Sequence, residues 1–215
     1  MKLYFAPLAT SMASRIMLDE TGLSAEFVEV CPLSKRILHS DEDYLAIHPL
    51  GLTPSLITRD GELISENMAV LSYITEISGR TPKDPMQRIQ LIQWLSFVAA
   101  EIHRALFTPF FDRIANEGAK AHALVLAKRR FEYLDAVLKD RAYVFGNEFS
   151  AVDAYLVTLL HAAQATPIDL SSYPNVDAYL KRHLDRPSVS SAIALELPLF
   201  KEELKRAKRR KASTS

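Results

Sequence analysis

The segment GRTPKDP, residues 79–85, constrains the fold of this chain more than any other feature. It holds two prolines and a glycine in seven residues, and proline cannot continue a helix because it lacks a backbone N–H. The sequence also changes character here, from alternating strand and helix signals to helical signals alone. We therefore predict two domains, residues 1–78 and 86–200, joined by a linker over 79–85.

The first domain alternates short apolar runs with helical patterns. Asp60 and Gly61 form the two-residue signal of a tight hairpin. Apolar residues at helical spacing predict a helix over Glu66–Ser78, with Gly79 as its C-cap. The predicted strands are Lys2–Phe5, Phe27–Val30, Ser55–Thr58 and Glu62–Ser65, and a first helix ends before Gly22. The order β-α-β-(α)-β-β-α is that of a thioredoxin-like α/β domain.

The second domain shows no convincing strand pattern. Helical periodicity predicts an all-α domain, with helices over 86–115, 119–140, 150–165, 175–185 and 188–197. Ser150, followed three residues later by Asp153 and then by an apolar run, predicts an N-terminal capping box. The helix that it starts is mostly apolar, and we expect it at the centre of this domain.

Charge is spread unevenly along the chain, although the formal net charge is zero. Residues 201–215 carry seven Lys or Arg against two Glu, a net charge of +5, so residues 1–200 sum to −5. A negatively charged body has no general attraction to nucleic acid, and we expect no nucleic-acid partner. We expect the basic tail, residues 201–215, to be solvated and disordered.

Hydropathy and cysteine content limit the kind of protein this can be. No apolar run reaches the roughly 18–20 residues of a membrane-spanning helix, and the N-terminal segment, broken by Pro7, is unlike a signal peptide. Cys31 is the only cysteine, which excludes an internal disulfide and a multi-thiolate metal site. We therefore expect a cytoplasmic protein with no metal and no membrane partner.

Five segments of the chain resemble the bacterial, beta-class-like glutathione transferases. They come in the family's order and at close to its spacing, over nearly all of residues 1–198: KLYFAPLATSMASR, DYLAIHPLGLTPSL, GELISENMAVLSYI, QWLSFVAAEIHRALFTPFF and FGNEFSAVDAYLVTLL. The resemblance implies the glutathione transferase fold, with glutathione bound by the first domain as co-substrate. It also implies a pocket for a small hydrophobic electrophile and a two-fold homodimer.

The same resemblance points to residues that bind glutathione, a tripeptide with two carboxylates, one α-amine and one thiol. Thr53-Pro54 matches the family's cis-proline segment, whose backbone pairs with the cysteinyl part of glutathione. Ser65, Glu66 and Asn67 match a family motif at a helix start, where free N–H groups favour a carboxylate. Glu66 suits the ammonium of the γ-glutamyl group. Asn67 stands where the family usually has Gly or Ser.

Three further positions match family residues near the active site. Lys35, in the loop Pro32–Ser40, stands at the place of a lysine that contacts the glycyl carboxylate. Glu101 and His103 match positions that face the active-site cleft. A loop lysine is also commonly just solvated, and Glu101 and His103 with Arg104 also fit a surface charge cluster.

The thiol-activating group is where this chain departs from the family. Beta-class members typically carry a cysteine at the position of Thr10, and threonine cannot form a mixed disulfide with glutathione. We rank three hydroxyls as replacements: Ser11 first, Thr10 second and Tyr4 third. Each also has a structural reading, since Ser or Thr before a helix serves as an N-cap and Tyr in a strand packs in the core.

The predicted function is that of a glutathione transferase, which stabilises the glutathione thiolate and conjugates it to an electrophilic hydrophobic substrate. One alternative with the same chemistry is a specialised glutathione-dependent lyase or dehalogenase. Another is a non-catalytic, transferase-like interaction protein, which the missing cysteine and the basic tail favour. The retained Thr53-Pro54 and Ser65-Glu66 count against it, because a scaffold does not need both.

Overall fold

The computed structural model describes residues 1–40 and 42–213. Contacts between Cα atoms divide the chain into two compact units: Met1–Gly79 with the chain from Pro187 onward, and Arg80–Arg186. The residues between the last helix of the first segment and Pro85 form neither helix nor strand. Among the helices that the structure describes, none combines the length and apolarity needed to cross a membrane.

A four-stranded sheet forms the centre of the first unit, with the strand order β2-β1-β3-β4. The strands are β1 (Lys2–Phe5), β2 (Glu26–Glu29), β3 (Ser55–Ile57) and β4 (Leu63–Ser65). β1 pairs with β2 in parallel and with β3 in antiparallel fashion, and β3 pairs with β4 across the predicted hairpin. All four predicted strands are present within one residue of their expected bounds.

Two helices of the first unit pack against each other beside this sheet: α1 (Ser11–Thr21) and α2 (Asn67–Ile77). Met12, Ile16 and Leu71 are fully buried there. α1 ends as predicted at Gly22, whose φ of 65° places it in the left-handed region that glycine tolerates best. The second helix of the predicted order, between β2 and β3, is only a 3₁₀ turn, Tyr44–Ala46. The thioredoxin-like arrangement is therefore confirmed in a shortened form.

The expected disordered tail is wrong for residues 201–213. One helix, α8, runs over Pro187–Ser213 and packs against α1, so it joins the first unit and not the helical domain that we extended to residue 200. Lys, Glu, Leu, Arg and Ala dominate this stretch and all favour a helix. Arg206 Nη2 also reaches the buried Glu29 Oε1 at 2.8 Å, which ties the helix to β2. The last two residues of the predicted tail, Thr214 and Ser215, lie outside the described residues.

The second unit is all-α, as predicted, since its described residues contain helices and no strand. Its helices are α3 (Pro85–Phe97), a π-helical segment (Val98–Phe107), α4 (Thr108–Phe111), α5 (Glu117–Leu138), α6 (Ala151–Ala162), a 3₁₀ turn (Ala163–Ala165) and α7 (Pro174–Leu184). Every residue from Ala151 to Leu160 is buried, so α6 is the expected central helix. It begins with the predicted capping box of Ser150 and Asp153.

The helix predicted over 86–115 is interrupted by the π-helical segment Val98–Phe107. The Thr108 backbone N–H donates to the carbonyl of His103, five residues back, which is the π-helical pattern. The Thr108 hydroxyl donates to the same carbonyl at 3.2 Å. π-Helical turns are rare and often occur at functional sites, and this one contains both Glu101 and His103.

Candidate functional site

The register of the sheet brings the predicted binding segments of the first unit to one end. Phe5 pairs with Glu29, Tyr4 with Ser55, and Ser55 with Ser65. The loops that leave β1 and β2, the segment that enters β3 and the start of α2 therefore lie at the same end of the sheet. Those stretches contain Thr10, Lys35, Thr53-Pro54 and Glu66-Asn67, respectively.

The Thr53–Pro54 peptide bond is cis, as predicted. β3 begins at Ser55, so the backbone of Thr53 lies outside the ladder and is not used in sheet pairing. The loop before it is fixed by Tyr44, whose hydroxyl donates to the Leu52 carbonyl at 2.9 Å. The Thr53 backbone is thus held at the end of the sheet, outside the ladder.

Glu66 occupies the N-cap position of α2 in an unusual backbone conformation. Its φ of 65° and ψ of 125° lie outside the regions that non-glycine residues normally populate, a conformation that costs about 1–3 kcal/mol. Its side chain is exposed and makes no capping hydrogen bond. Such strain clusters at ligand-binding positions, and here it leaves the carboxylate free at the helix start.

Asn67, the first residue of α2, has a buried side-chain donor that lacks a partner. The side chain is only 7% exposed, and its Oδ1 accepts a hydrogen bond from the Ser14 hydroxyl at 3.2 Å. Its Nδ2 has no hydrogen-bond partner among the described residues. A buried, unsatisfied N–H group is costly, and this one sits where the helix dipole already favours an anion.

Lys35 is held at this end of the sheet by the loop before β3. Its backbone φ is 55°, and its Nζ donates to the Gly51 carbonyl at 2.9 Å. Gly51 is required for this approach, because a Cβ there would lie 2.8 Å from Lys35 Cδ. Lys35 is therefore a positioned cation, anchored to a residue two places before Thr53, which is more than a solvated loop lysine.

Ser11, our first-ranked hydroxyl, is disfavoured by its surroundings in the structure. Its side chain is fully buried, and its Oγ donates to the Ala6 carbonyl at 3.1 Å while accepting from the Ala6 N–H at 3.2 Å. Both bonds hold the first residue of α1 against Ala6, the residue that follows β1. Because its one O–H donor already binds the Ala6 carbonyl, Ser11 is a weaker candidate than Thr10 for donating to a thiol.

Tyr4, our third-ranked hydroxyl, is a core residue. It is 4% exposed and packs with Val30, Ile37 and Tyr44, with its ring centroid 5.2 Å from that of Tyr44. Burial raises the pKa of its phenol above the ordinary value. The structure therefore supports the packing reading of Tyr4.

Thr10 remains as the candidate hydroxyl. It is the N-cap residue of α1, it is partly exposed, and its side chain makes no capping hydrogen bond. Its hydroxyl can therefore donate to a ligand at the N-terminus of α1, where the helix dipole favours negative charge. Sequence alone did not separate these two neighbours, because both lie at the predicted strand-to-helix turn.

In the second unit, Glu101 and His103 are each engaged with a partner on another helix. Glu101 Oε2 accepts from Arg130 Nε of α5 at 2.9 Å. His103 Nδ1 lies 2.9 Å from the hydroxyl of Tyr155 in α6. Burial, helped by the nearby Arg104, lowers the pKa of His103 to about 4. His103 is therefore neutral at pH 7, which counts against the alternative of a charge cluster formed by Glu101, His103 and Arg104.

Comparison with known proteins decides the family. Models of the glutathione S-transferase family match the chain twice, the N-terminal domain over residues 9–77 and the C-terminal domain over residues 98–187. Glutathione S-transferase GstA of Escherichia coli O157:H7 is 34% identical over 200 residues, which cover 91% of this chain and 98% of that protein. The chain belongs to the glutathione S-transferase family.

Solved glutathione transferases share the fold. A bacterial beta-class enzyme from Sphingomonas chungbukensis is 36% identical, with a TM-score of 0.85 over 91% of this chain and 98% of its own. A sphingomonad glutathione S-transferase solved in complex with glutathione gives the same identity, TM-score and coverage. BphK, a bacterial member solved as a ternary complex, is 32% identical, with a TM-score of 0.86 over 91% and 99% of the two chains.

Our reading of this transferase sequence missed Glu196, which lies beside the Thr10 loop. This residue of α8 is fully buried, and its carboxylate accepts from the Leu8 N–H at 2.7 Å and from Arg15 Nε at 2.7 Å. The Arg15 guanidinium in turn lies over the Phe27 ring, 3.8 Å from its centroid. Glu196 thus fixes the loop that carries Thr10, across a sequence separation that no local pattern reveals.

Among the described residues, no group of three or more His, Cys, Asp or Glu side chains is arranged to hold a metal ion.

Proposed function

We propose that the chain is a glutathione transferase enzyme, which binds glutathione at the end of its sheet, stabilises the thiolate and adds it to a small hydrophobic electrophile. The observation that carries this proposal is the orphaned Nδ2 of Asn67 at the start of α2, beside the exposed carboxylate of Glu66. The Asn67 amide can donate to a carboxylate, and the neighbouring Glu66 carboxylate can accept from an ammonium. An α-amino acid group carries both of these charges.

The γ-glutamyl end of glutathione is assigned to this helix start. Its α-carboxylate accepts hydrogen bonds from the Asn67 Nδ2 and from the N-terminal N–H groups of α2, since these donors have no intrahelical partners. Its α-ammonium pairs with Glu66. Ser65, the last residue of β4, lies next to both and completes the binding segment.

The rest of the tripeptide is assigned to the neighbouring loops. The cysteinyl backbone pairs with Thr53, whose backbone the cis Pro54 leaves outside the ladder. The glycyl carboxylate pairs with Lys35, since the ammonium held by the Gly51 carbonyl retains further N–H donors.

The hydroxyl of Thr10 is assigned to the thiol. An unperturbed thiol has a pKa of about 8.5, and lowering it by about two units needs roughly 2.7 kcal/mol of preferential thiolate stabilisation. A hydrogen bond to a charged group supplies about 1.5–3 kcal/mol, and a helix N-terminus adds about 0.3–1 kcal/mol. One threonine hydroxyl at the start of α1 is therefore sufficient, without any covalent link to the enzyme.

His103, in the second unit, is a neutral histidine. Because His103 carries one ring proton at pH 7, it can donate a hydrogen bond without adding a charge. Glu101 is a weaker candidate for a direct contact, since its carboxylate already binds Arg130. Ligand binding by His103 stays a prediction from the family resemblance, and we assign Glu101 to support of its own segment through Arg130.

We also propose a cytoplasmic homodimer. Met86, Ile89 and Ile92 lie on one face of α3 and are 63%, 58% and 49% exposed. An apolar helix face of this kind commonly marks an interface, and a second copy of the chain is the occupant that the family resemblance implies. Reducing conditions in the cytoplasm also suit a protein with a single thiol, Cys31.

Glutathione binding by two matched variants tests the site. Glu66→Ala should weaken glutathione affinity by about tenfold, which is the loss of one charge-assisted hydrogen bond, and Lys35→Ala should weaken it more modestly. Glu62→Ala removes an exposed carboxylate from the same hairpin and should leave affinity unchanged. Calorimetric titration with glutathione gives all three values. Equal affinities of the Glu66→Ala and Glu62→Ala variants would show that the site is misplaced.

A second variant tests the orphaned donor directly. Asn67→Asp keeps the size of the side chain and suits a helix N-terminus, but it places a carboxylate where we assign the γ-glutamyl carboxylate. We expect retained folding and loss of retention on a glutathione resin. Conjugation of glutathione to chlorodinitrobenzene by the unmodified protein then separates an enzyme from a protein that only binds glutathione.

A further inference from the structure

The C-terminal part of α8 lies beyond the segments that carry the resemblance to the family. The alignments with GstA and with the beta-class structure cover 98% of each relative but only 91% of this chain. The segments that resemble the family end near residue 198, and the basic stretch from Lys201 onward follows them. The resemblance therefore assigns this stretch no role.

One side of this stretch is bound to the first unit. Arg206 Nη2 lies 2.8 Å from Glu29 Oε1, a carboxylate that is itself buried. Arg210 Nη1 lies 4.0 Å from the sulfur of Cys31, one helical turn further on. These contacts hold the helix along the end of β2, so the opposite side has a fixed orientation.

The opposite side presents lysines and leucines together. Lys201, Lys205 and Lys208 follow each other at four- and three-residue spacing and share one face of the helix. Leu197 and Leu204 continue the same spacing and are 38% and 47% exposed. We call this surface the α8 face and define it as Leu197, Lys201, Leu204, Lys205, Lys208 and the adjacent Arg209.

The charge of the α8 face is little compensated from within the helix. Among the described residues, Lys205 of this face forms an ion pair with Glu202, and both side chains are more than half exposed. Such pairs contribute little and are screened by salt. Because residues 1–200 sum to −5 while residues 201–215 sum to +5, a negatively charged partner is attracted to this face and repelled by the rest of the protein.

We propose that the α8 face binds the surface of an anionic phospholipid bilayer. Lysines at a membrane surface attract acidic headgroups, and exposed leucines on the same face enter the interfacial layer, as in helices that lie on a membrane. A nucleic acid would use the lysines but not the leucines, so the mixed face favours lipid. The contact is peripheral, and it revises our expectation that the protein has no membrane partner.

Co-sedimentation of the full chain with vesicles tests this proposal. We expect binding to vesicles of phosphatidylcholine with phosphatidylglycerol, no binding to phosphatidylcholine alone, and release at high salt. Lys201→Glu, Lys205→Glu and Lys208→Glu combined should weaken binding by more than about a hundredfold, because each lost cation costs about fivefold near an anionic surface and each new carboxylate adds repulsion. A variant with the same net charge, carrying Lys83→Glu, Lys139→Glu and Lys181→Glu, should bind like the unmodified protein.

The leucines separate lipid from nucleic acid. Leu197→Ser with Leu204→Ser keeps every charge, so it should weaken vesicle binding while leaving any binding to a single-stranded oligonucleotide unchanged. Equal binding of the unmodified protein to both vesicle types, no binding to either, or a preference for the oligonucleotide over the acidic vesicles would each overturn the proposal. The vesicle comparison needs no variant, so a folding defect in a variant leaves the test intact.

Discussion

At the scale of single residues, the burial of His103 makes the stability of the fold depend on pH. Its pKa in the folded state is about 4 because burial disfavours the charged ring, whereas an unfolded histidine has a pKa of about 6.5. Neutral His103 therefore stabilises the fold fully above about pH 6.5. This contribution is lost as the pH falls toward about 4, because the unfolded chain then binds a proton that the folded protein does not.

We predict that His103 alone makes the free energy of unfolding fall by about 3 kcal/mol between about pH 6.5 and pH 4. Urea unfolding of the unmodified protein and of His103→Gln at several pH values isolates this term, because the variant lacks the titrating ring. The two proteins should differ in slope across that interval. Parallel pH profiles would mean that His103 is accessible to protons in the folded state.

The choice among the hydroxyls also belongs to the residue scale. The sequence correctly indicated the turn between β1 and α1, but Thr10 and Ser11 are neighbours, and a helical turn points neighbours in different directions. Only the structure shows that Ser11 turns inward to Ala6 while Thr10 remains partly exposed. The role of Glu196 is also hidden in the sequence, because its contacts with Leu8 and Arg15 form only when α8 packs against α1.

At the scale of elements, the capping box of α6 is the feature that the sequence predicted best. Beyond the box itself, the buried Asp153 carboxylate accepts from the Val144 N–H at 2.8 Å and from the Tyr179 hydroxyl at 2.8 Å. The helix start thereby also fixes the preceding loop and α7. The two residues of the box should therefore differ strongly in their effect on stability.

We predict that Ser150→Ala lowers the free energy of unfolding by about 1 kcal/mol, the usual cost of a lost N-cap. Asp153→Ala should cost about 3–5 kcal/mol, because it leaves two buried donors without an acceptor. Ser171→Ala, at an exposed serine, serves as the control and should stay within about 0.5 kcal/mol. Urea denaturation measures all three, and equal losses for the first two variants would contradict the role of Asp153.

Two elements of the fold were beyond the reach of local patterns. The periodicity of residues 86–115 predicts a helix but not its π-helical middle, because a change from four- to five-residue hydrogen bonds leaves no mark in an apolar pattern. The basic tail has the composition of a solvated terminus, but its Arg206 forms an ion pair with the buried Glu29 of β2. Both features depend on contacts that only a folded chain supplies.

At the scale of the whole molecule, the α3 face of Met86, Ile89 and Ile92 is the proposed dimer contact. Ile89→Glu with Ile92→Glu should convert a dimer into a monomer, because it buries two charges in an apolar interface. Ile114→Glu changes a residue that is 91% exposed and should leave the dimer intact. Light scattering at micromolar concentration gives the mass, and a monomeric unmodified protein would refute the homodimer.

The central claim is that this chain binds glutathione at the end of its sheet and ionises the thiol with the hydroxyl of Thr10. The most direct measurement is the ultraviolet absorbance of the thiolate in the protein–glutathione complex as a function of pH. We predict a thiol pKa about two units below its ordinary value of about 8.5. Thr10→Ala should raise that pKa toward 8.5 and slow turnover, with glutathione affinity nearly unchanged. A thiol pKa that stays at about 8.5 in the unmodified complex, or one that Tyr4→Phe or Cys31→Ser shifts while Thr10→Ala does not, would contradict the account.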